Sequence, residues 1–194
     1  MTQHAPVLIV LLPLTASLLC MLFSRISKFL GSWIVMASIA GAFANACIVL
    51  QRVLESGGKT WHYWMGGWEP PIGIEFALDP LNSILAVVVT FISLMVSLYS
   101  RPFVKDEDWL HVGGYYTLFG LLTVGLSGMI ITGDVFNLYV YLEIMSLSGY
   151  GLIALGGRKS MLAAFVPVNR YHRCFSVSAW CRLSVRYDRY SEHG

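Results

Sequence analysis

Five stretches of this chain are each apolar for about twenty residues: Ala5–Phe23, Phe29–Leu50, Pro80–Ser100, Tyr115–Thr132 and Val135–Leu155. A bilayer core of about 30 Å is crossed by about 20 apolar residues in helical conformation. In hydrocarbon the backbone N–H and C=O groups of a segment must be bonded internally, and a long apolar run does that as a helix. Charged residues make up 12% of the chain, against about 25% in a soluble domain. The expected fold class is therefore an all-α integral membrane protein with five transmembrane helices, followed by a non-membrane C-terminal tail. The start, MTQHAPVLIVLLPLTASLLCMLFSR, has no basic leader before its apolar run. It reads as a retained first helix rather than a cleaved signal peptide.

The charges between the runs give an orientation. Arg25, Lys28, Arg101, Lys105, Arg158 and Lys159 fall in connections on one side, and only Arg52 and Lys59 on the other. Basic residues concentrate on the cytoplasmic side, so the N-terminus is expected outside and the end of the fifth helix inside. The long outer connection, Gln51–Asp79, holds WHYWMGGWEPPIGIEFALDPLN. Its Trp and Tyr rings favour the headgroup level. GG and PP break any helix, and IGIEFAL alternates like a short strand, so a compact surface hairpin is expected. Asp79 before Pro80 reads as an N-cap followed by proline at the first helical position. Asp134 reads the same way, as an N-cap or first-turn acid of the fifth helix, with Asn137 one turn on.

Several function classes find no support. The basic residues form no dense patch before the tail, so no nucleic-acid partner is implied. Cys20 and Cys47 lie in apolar runs and read as small hydrophobes, and Cys174 and Cys181 lie in the tail. Without a C-x-x-C pair, neither a zinc site nor a disulfide framework is indicated. GYGLIA, Gly149–Ala154, matches a loose dinucleotide pattern, but it sits deep in an apolar span with no preceding strand. Its small residues, like Ala37 and Gly41, suit close helix contacts instead. His111 is expected in a charged cytoplasmic loop after Asp106, Glu107 and Asp108. His4 and His62 look isolated, and no metal set or catalytic triad can be assembled.

Glu143 stands out, because a carboxylate near the middle of a span costs roughly 2.5–3.5 kcal/mol on insertion scales. At helical spacing its face includes Tyr139, Ser146, Leu147 and Tyr150. The hydroxyls of Tyr139, Ser146 and Tyr150 are candidates for a proton path or for helix packing. Two readings are open from the residues alone. Glu143 is either a proton-transfer site inside a bundle, facing protein and water, or a protonated structural group bonded to a neighbouring helix.

The run TGDVFNLYVYLEIMSLSGYGLIALGGRKSMLAAF resembles the proton-translocating antiporter-like subunits. These include the membrane-arm subunits of NADH–quinone oxidoreductase, subunits of membrane-bound hydrogenases, and the A and D subunits of the Mrp (Mnh) multisubunit Na+/H+ antiporter. NLYVYLEIMSLSGYGLIALGG, the outer loop and the five-helix spacing resemble the D type most. The resemblance covers residues 1 to about 165. It implies a fourteen-helix fold of which residues 1–165 would be the N-terminal part. It also implies that Glu143 is the intramembrane proton carrier, that lysines on later helices partner it, and that no cofactor is held. Residues 166–194 depart from the family. Five of the chain's 13 basic residues lie there, with no apolar run long enough to span. Codons allowed for Trp180–His193, read one nucleotide forward, can spell an apolar string of the family's type. An out-of-frame tail is therefore expected, against a genuine basic tail facing anionic lipid.

The resulting expectation is a truncated subunit of a cation/proton antiporter in a bacterial cell membrane, exchanging Na+ for H+ with other antiporter subunits and membrane lipid as partners. A membrane-arm subunit of a quinone oxidoreductase or hydrogenase is the second reading, and an inactive membrane fragment the third.

Overall fold

The computed structural model describes residues 4–24, 27–57, 59–64, 75–104 and 109–155. The expected tail from residue 166 and the boundary before it lie outside the described residues. By internal contacts the chain divides into Met1–Leu152 and Ile153–Gly194. Of the second unit only the last residues of a helix, 153–155, are described.

The elements run α1 Ala5–Phe23, α2 Lys28–Glu55, β1 Trp61–Trp64, β2 Glu75–Leu78, α3 Pro80–Val104, α4 Trp109–Ile131 and α5 Val135–Leu155. All five helices are long and apolar enough to cross a membrane. α1 packs on α2 and α4, and α3 on α2 and α4.

Three helices run beyond their apolar stretches: α3 continues past Ser100 to Val104, and α2 and α4 extend for identifiable reasons. α2 continues past Leu50 to Glu55, because the Gln51–Glu55 turn carries no helix breaker, and it stops at Gly57, whose φ is +73°. Glycine adopts that left-handed conformation without a Cβ clash and so terminates helices. α4 begins at Trp109 rather than Tyr115, which places His111 in its first turn and not in a loop. Gly113 and Gly114 lie inside the helix. A Cβ on Gly113 would run into the Ser24 side chain at the end of α1, so this glycine serves a close helix contact.

The same device recurs. A Cβ on Gly120 would lie 2.9 Å from the Ser17 Cβ of α1, and one on Gly31 of α2 would meet the Cys20 sulfur at 3.0 Å. Lipid tails are as apolar as leucine, so helices in a membrane associate through such close approach rather than through hydrophobic burial. A Cβ on Gly151 would meet the Leu118 side chain at 2.8 Å, whereas one on Gly149 would meet nothing within 4 Å among the described residues. Of the two glycines in GYGLIA, only one is therefore a packing residue.

The outer connection forms the expected hairpin. β1 and β2 are antiparallel, with Trp61 opposite Leu78 and Trp64 opposite Glu75. Phe76 and Leu78 are fully buried and join Ile9, Val10, Val49 and Val53 in the core at that end of the bundle. The two histidines are not isolated. His4 Nδ1 lies 2.8 Å from the Tyr63 hydroxyl, which ties the start of α1 to β1, and His62 pairs with Glu75 across the strands. β2 also holds the α4–α5 connection, through the Gly133 N–H donating to the Glu75 carbonyl at 2.9 Å and a bridge from Phe76 to Thr132.

Asp79 caps α3: the Asn82 N–H donates to Asp79 Oδ1 at 2.8 Å, with Pro80 at the first helical position. Asp79→Ala is expected to weaken that helix start by about 1 kcal/mol. Faster hydrogen exchange confined to the first turn of α3 is the measurement that checks it. Several buried hydroxyls of the bundle are satisfied by their own helix, whereas those of Tyr116 and Thr117 in α4 have no hydrogen-bond partner among the described residues. Thr90 donates to the Ala86 carbonyl at 2.7 Å, Thr123 to Phe119 at 3.0 Å and Ser127 to Thr123 at 2.6 Å. Hydroxyls bonded back to the preceding turn belong to packing and need no polar pathway beside them.

Candidate functional site on helix α5

α5 starts on a cap of its own. The Phe136 N–H donates to Asp134 Oδ1 at 3.2 Å, and the Leu138 N–H to the Asp134 carbonyl at 2.9 Å. Asp134 is thus used by the helix start, as the sequence suggested. Thr132, which sequence reasoning passed over, accepts a hydrogen bond from Asn137 Nδ2 at 3.1 Å. The signal for it was Asn137 itself, an amide in an apolar helix that needs a partner once buried.

One side of α5 is buried, at Asn137, Tyr141 and Ser148. It lies against glycines of α4. A Cβ on Gly128 would come within 2.5 Å of the Tyr141 ring, and one on Gly125 within 2.8 Å of Met145. Gly128→Leu is accordingly expected to force α5 off α4 and to cost about 1–3 kcal/mol. The check is a lowered midpoint of unfolding in denaturing detergent.

Glu143 lies on the other side. At 100° per residue it is about 140° around the helix from the buried face, and the Tyr139, Glu143, Ser146, Tyr150 row is roughly opposite it. All four side chains are half-buried. Tyr139 and Glu143 lie one turn apart, with the phenol near enough to the carboxyl group to interact with it. Ser146 is turned to its own helix, donating to the Leu142 carbonyl at 2.8 Å, so its oxygen is left as an acceptor only. The structure therefore places Tyr139 against Glu143 and sets all four residues on one face. That face points away from α4, rather than into a core formed by α1–α4.

α5 is also the least covered helix, with 11% of its span buried against 50% for α4. A carboxyl group half-exposed on a membrane helix is stable only against protein or water. The face thus calls for a further element over it. Among the described residues no group of three or more His, Cys, Asp or Glu side chains could hold a metal ion.

Comparison with known proteins places this arrangement. Residues 64–112 match the family model described as NADH-Ubiquinone oxidoreductase (complex I), chain 5 N-terminus. The chain is 42% identical over 177 residues to the N-type subunit of the NADH-quinone oxidoreductase of Desulforudis audaxviator, covering 90% of this chain and 35% of that protein. It is 33% identical over 156 residues to the D-type subunit of the Na(+)/H(+) antiporter of Bacillus subtilis, covering 80% and 31%. Its fold matches a chain of the membrane-bound sulfane sulfur reductase, an archaeal respiratory membrane complex, with a TM-score of 0.81 and 28% identity over 90% of this chain and 35% of that one. It also matches a chain of the Mrp complex from Dietzia, with a TM-score of 0.66 and 25% identity over 78% and 27%. The chain spans about a third of the length of these relatives. Sequence and fold together show that it belongs to the antiporter-like superfamily of membrane subunits, shared by NADH–quinone oxidoreductases and multisubunit cation/proton antiporters.

Proposed function

We propose that this chain is part of a proton-translocating subunit of a multisubunit cation/proton antiporter, in which Glu143 takes up and releases the proton. The observation that carries the reading is the Glu143 carboxyl group near the middle of a helix long and apolar enough to cross a membrane, beside Tyr139 and on the side away from α4. An ionisable group at that depth is costly and is retained where it serves an ion pathway. Tyr139 holds the carboxyl group in place, and the Ser146 oxygen and Tyr150 extend a polar row along which water can relay a proton. The exchanged cation is Na+, the partners are companion antiporter subunits, and the site is the bacterial cell membrane. Sodium tolerance restored to an antiporter-deficient host, by this gene with its companion subunits, tests the reading. No gain in tolerance from an assembled complex would refute it.

A membrane-arm role in a quinone oxidoreductase is the second reading, favoured by the 42% identity to an oxidoreductase subunit over 90% of the chain. Purification from the native membrane separates the two: small antiporter subunits support the first, redox subunits the second.

The orientation that goes with this function has the N-terminus outside. The hairpin, the start of α1 and the α4–α5 connection share one end of the bundle, joined by the His4–Tyr63 and Glu75–Gly133 contacts. A single cysteine at Thr60, in the hairpin connection, is expected to react with an impermeant maleimide on intact cells. One at Ser27, at the other end, is expected to react only after lysis. The reverse pattern overturns the orientation.

A further inference from the structure

Away from the Glu143 face, α2 and α3 frame a second feature. The Arg101 guanidinium, in the last turn of α3, lies over the Trp33 ring of α2 at 4.2 Å from its centroid. Ten residues further along α2, Phe43 meets Phe91 of α3 at 5.8 Å between ring centroids. Between these two contacts the α2 surface is a line of exposed alanines, Ala37, Ala40 and Ala44. The α3 side is raised by Leu98 and Phe91, which are 45% and 46% exposed. The result is a shallow apolar trough with a cation at its mouth. Its length follows from helix geometry: ten residues rise roughly 15 Å, half of a hydrocarbon core of about 30 Å. That is the depth of one leaflet, the reach of one acyl chain.

The mouth is built for a phosphate. Stacking on Trp33 holds the guanidinium plane and leaves its N–H edge free to donate two parallel hydrogen bonds. Among the described residues no carboxylate forms an ion pair with Arg101. The connections at this end carry Arg25, Lys28 and Lys105 in the sequence against Asp106, Glu107 and Asp108, so with Arg101 the balance stays positive by one charge. Basic pockets between transmembrane helices at a membrane boundary bind anionic lipid headgroups. We propose that the α2–α3 trough is a binding site for one anionic phospholipid, with its phosphate on Arg101 and Trp33 and an acyl chain laid along Ala37, Ala40 and Ala44.

Native mass spectrometry of the full chain, released from an equal mixture of phosphatidylglycerol and phosphatidylcholine, tests this. One retained phosphatidylglycerol, preferred about fivefold over phosphatidylcholine, is the expected result for one basic contact. Arg101→Gln is expected to erase the preference. Ala40→Phe, which fills the trough and leaves the cation, is expected to reduce retention of both lipids, with the helical circular dichroism unchanged. No preference in the wild-type chain, a preference that survives Arg101→Gln, or unchanged retention in Ala40→Phe each overturns the site. So does loss of phosphatidylglycerol to excess inorganic phosphate, which would mean that the mouth takes phosphate alone.

Discussion

Glu143→Gln in an assembled antiporter complex is expected to cut Na+-driven proton flux by at least about tenfold, on the scale of a lost proton-transfer group, with subunit content unchanged. Gln keeps the shape of the side chain and an oxygen that can accept a hydrogen bond, but it cannot carry a proton. A structural, permanently protonated Glu143 would be replaced by Gln with little loss, because both present a donor and an acceptor. The two roles therefore separate on one variant. Glu143→Asp retains the carboxyl group but withdraws it by one methylene from Tyr139, so partial flux is expected. The measurement is a pH-sensitive dye in vesicles after a Na+ pulse, with each subunit quantified by blot. Normal flux from an assembled Glu143→Gln complex would rule out the carrier role. If wild-type vesicles respond to NADH and not to Na+, the membrane-arm reading takes its place, and the same variant then tests Glu143 there.

The 194-residue chain by itself, reconstituted in vesicles, is expected to show no Na+-dependent pH change at all. A proton crossing a membrane needs ionisable or hydrated groups from one side to the other. In α1, α3 and α4 several buried hydroxyls bond back to their own helices, as Ser17 does to the Leu14 carbonyl at 2.8 Å, and those are not available to a relay. The one acidic side chain in a described span beyond the caps and ends, Glu143, looks away from α4. Its face needs covering protein before a water-lined path can exist on it. Exchange by the chain alone, dependent on Glu143, would mean that α1–α5 hold a complete path and that the covering element is dispensable.

The extent of the helices, the hairpin and the caps was legible in the chain because each rests on local rules. Apolar length makes a membrane helix, alternation bounded by GG and PP makes a strand, and Asp79 before Pro80 announces a helix start. Such signals need no knowledge of neighbours. The residues sharing a face with Glu143 were likewise readable, since helical spacing alone puts Tyr139, Ser146 and Tyr150 beside it.

What spacing could not supply was the direction in which that face points. α5 carries polar groups on both sides, Asn137 and Ser148 on one and the Glu143 row on the other, so no apolar stripe distinguishes the packed side from the open one. The tertiary structure decides it through two glycines of α4, Gly125 and Gly128, whose missing side chains admit Met145 and Tyr141 and turn Glu143 outward. In sequence those glycines are indistinguishable from Gly149, where an added Cβ would meet nothing within 4 Å among the described residues, and from Gly113, which is a seat for Ser24. The histidines follow the same logic. His4 finds Tyr63 because the hairpin folds back onto the start of α1, and His62 finds Glu75 because β1 pairs with β2. Local chemistry therefore determines the elements and the composition of each face. Close approach between helices, which depends on where a Cβ is absent on a partner far along the chain, decides which faces meet.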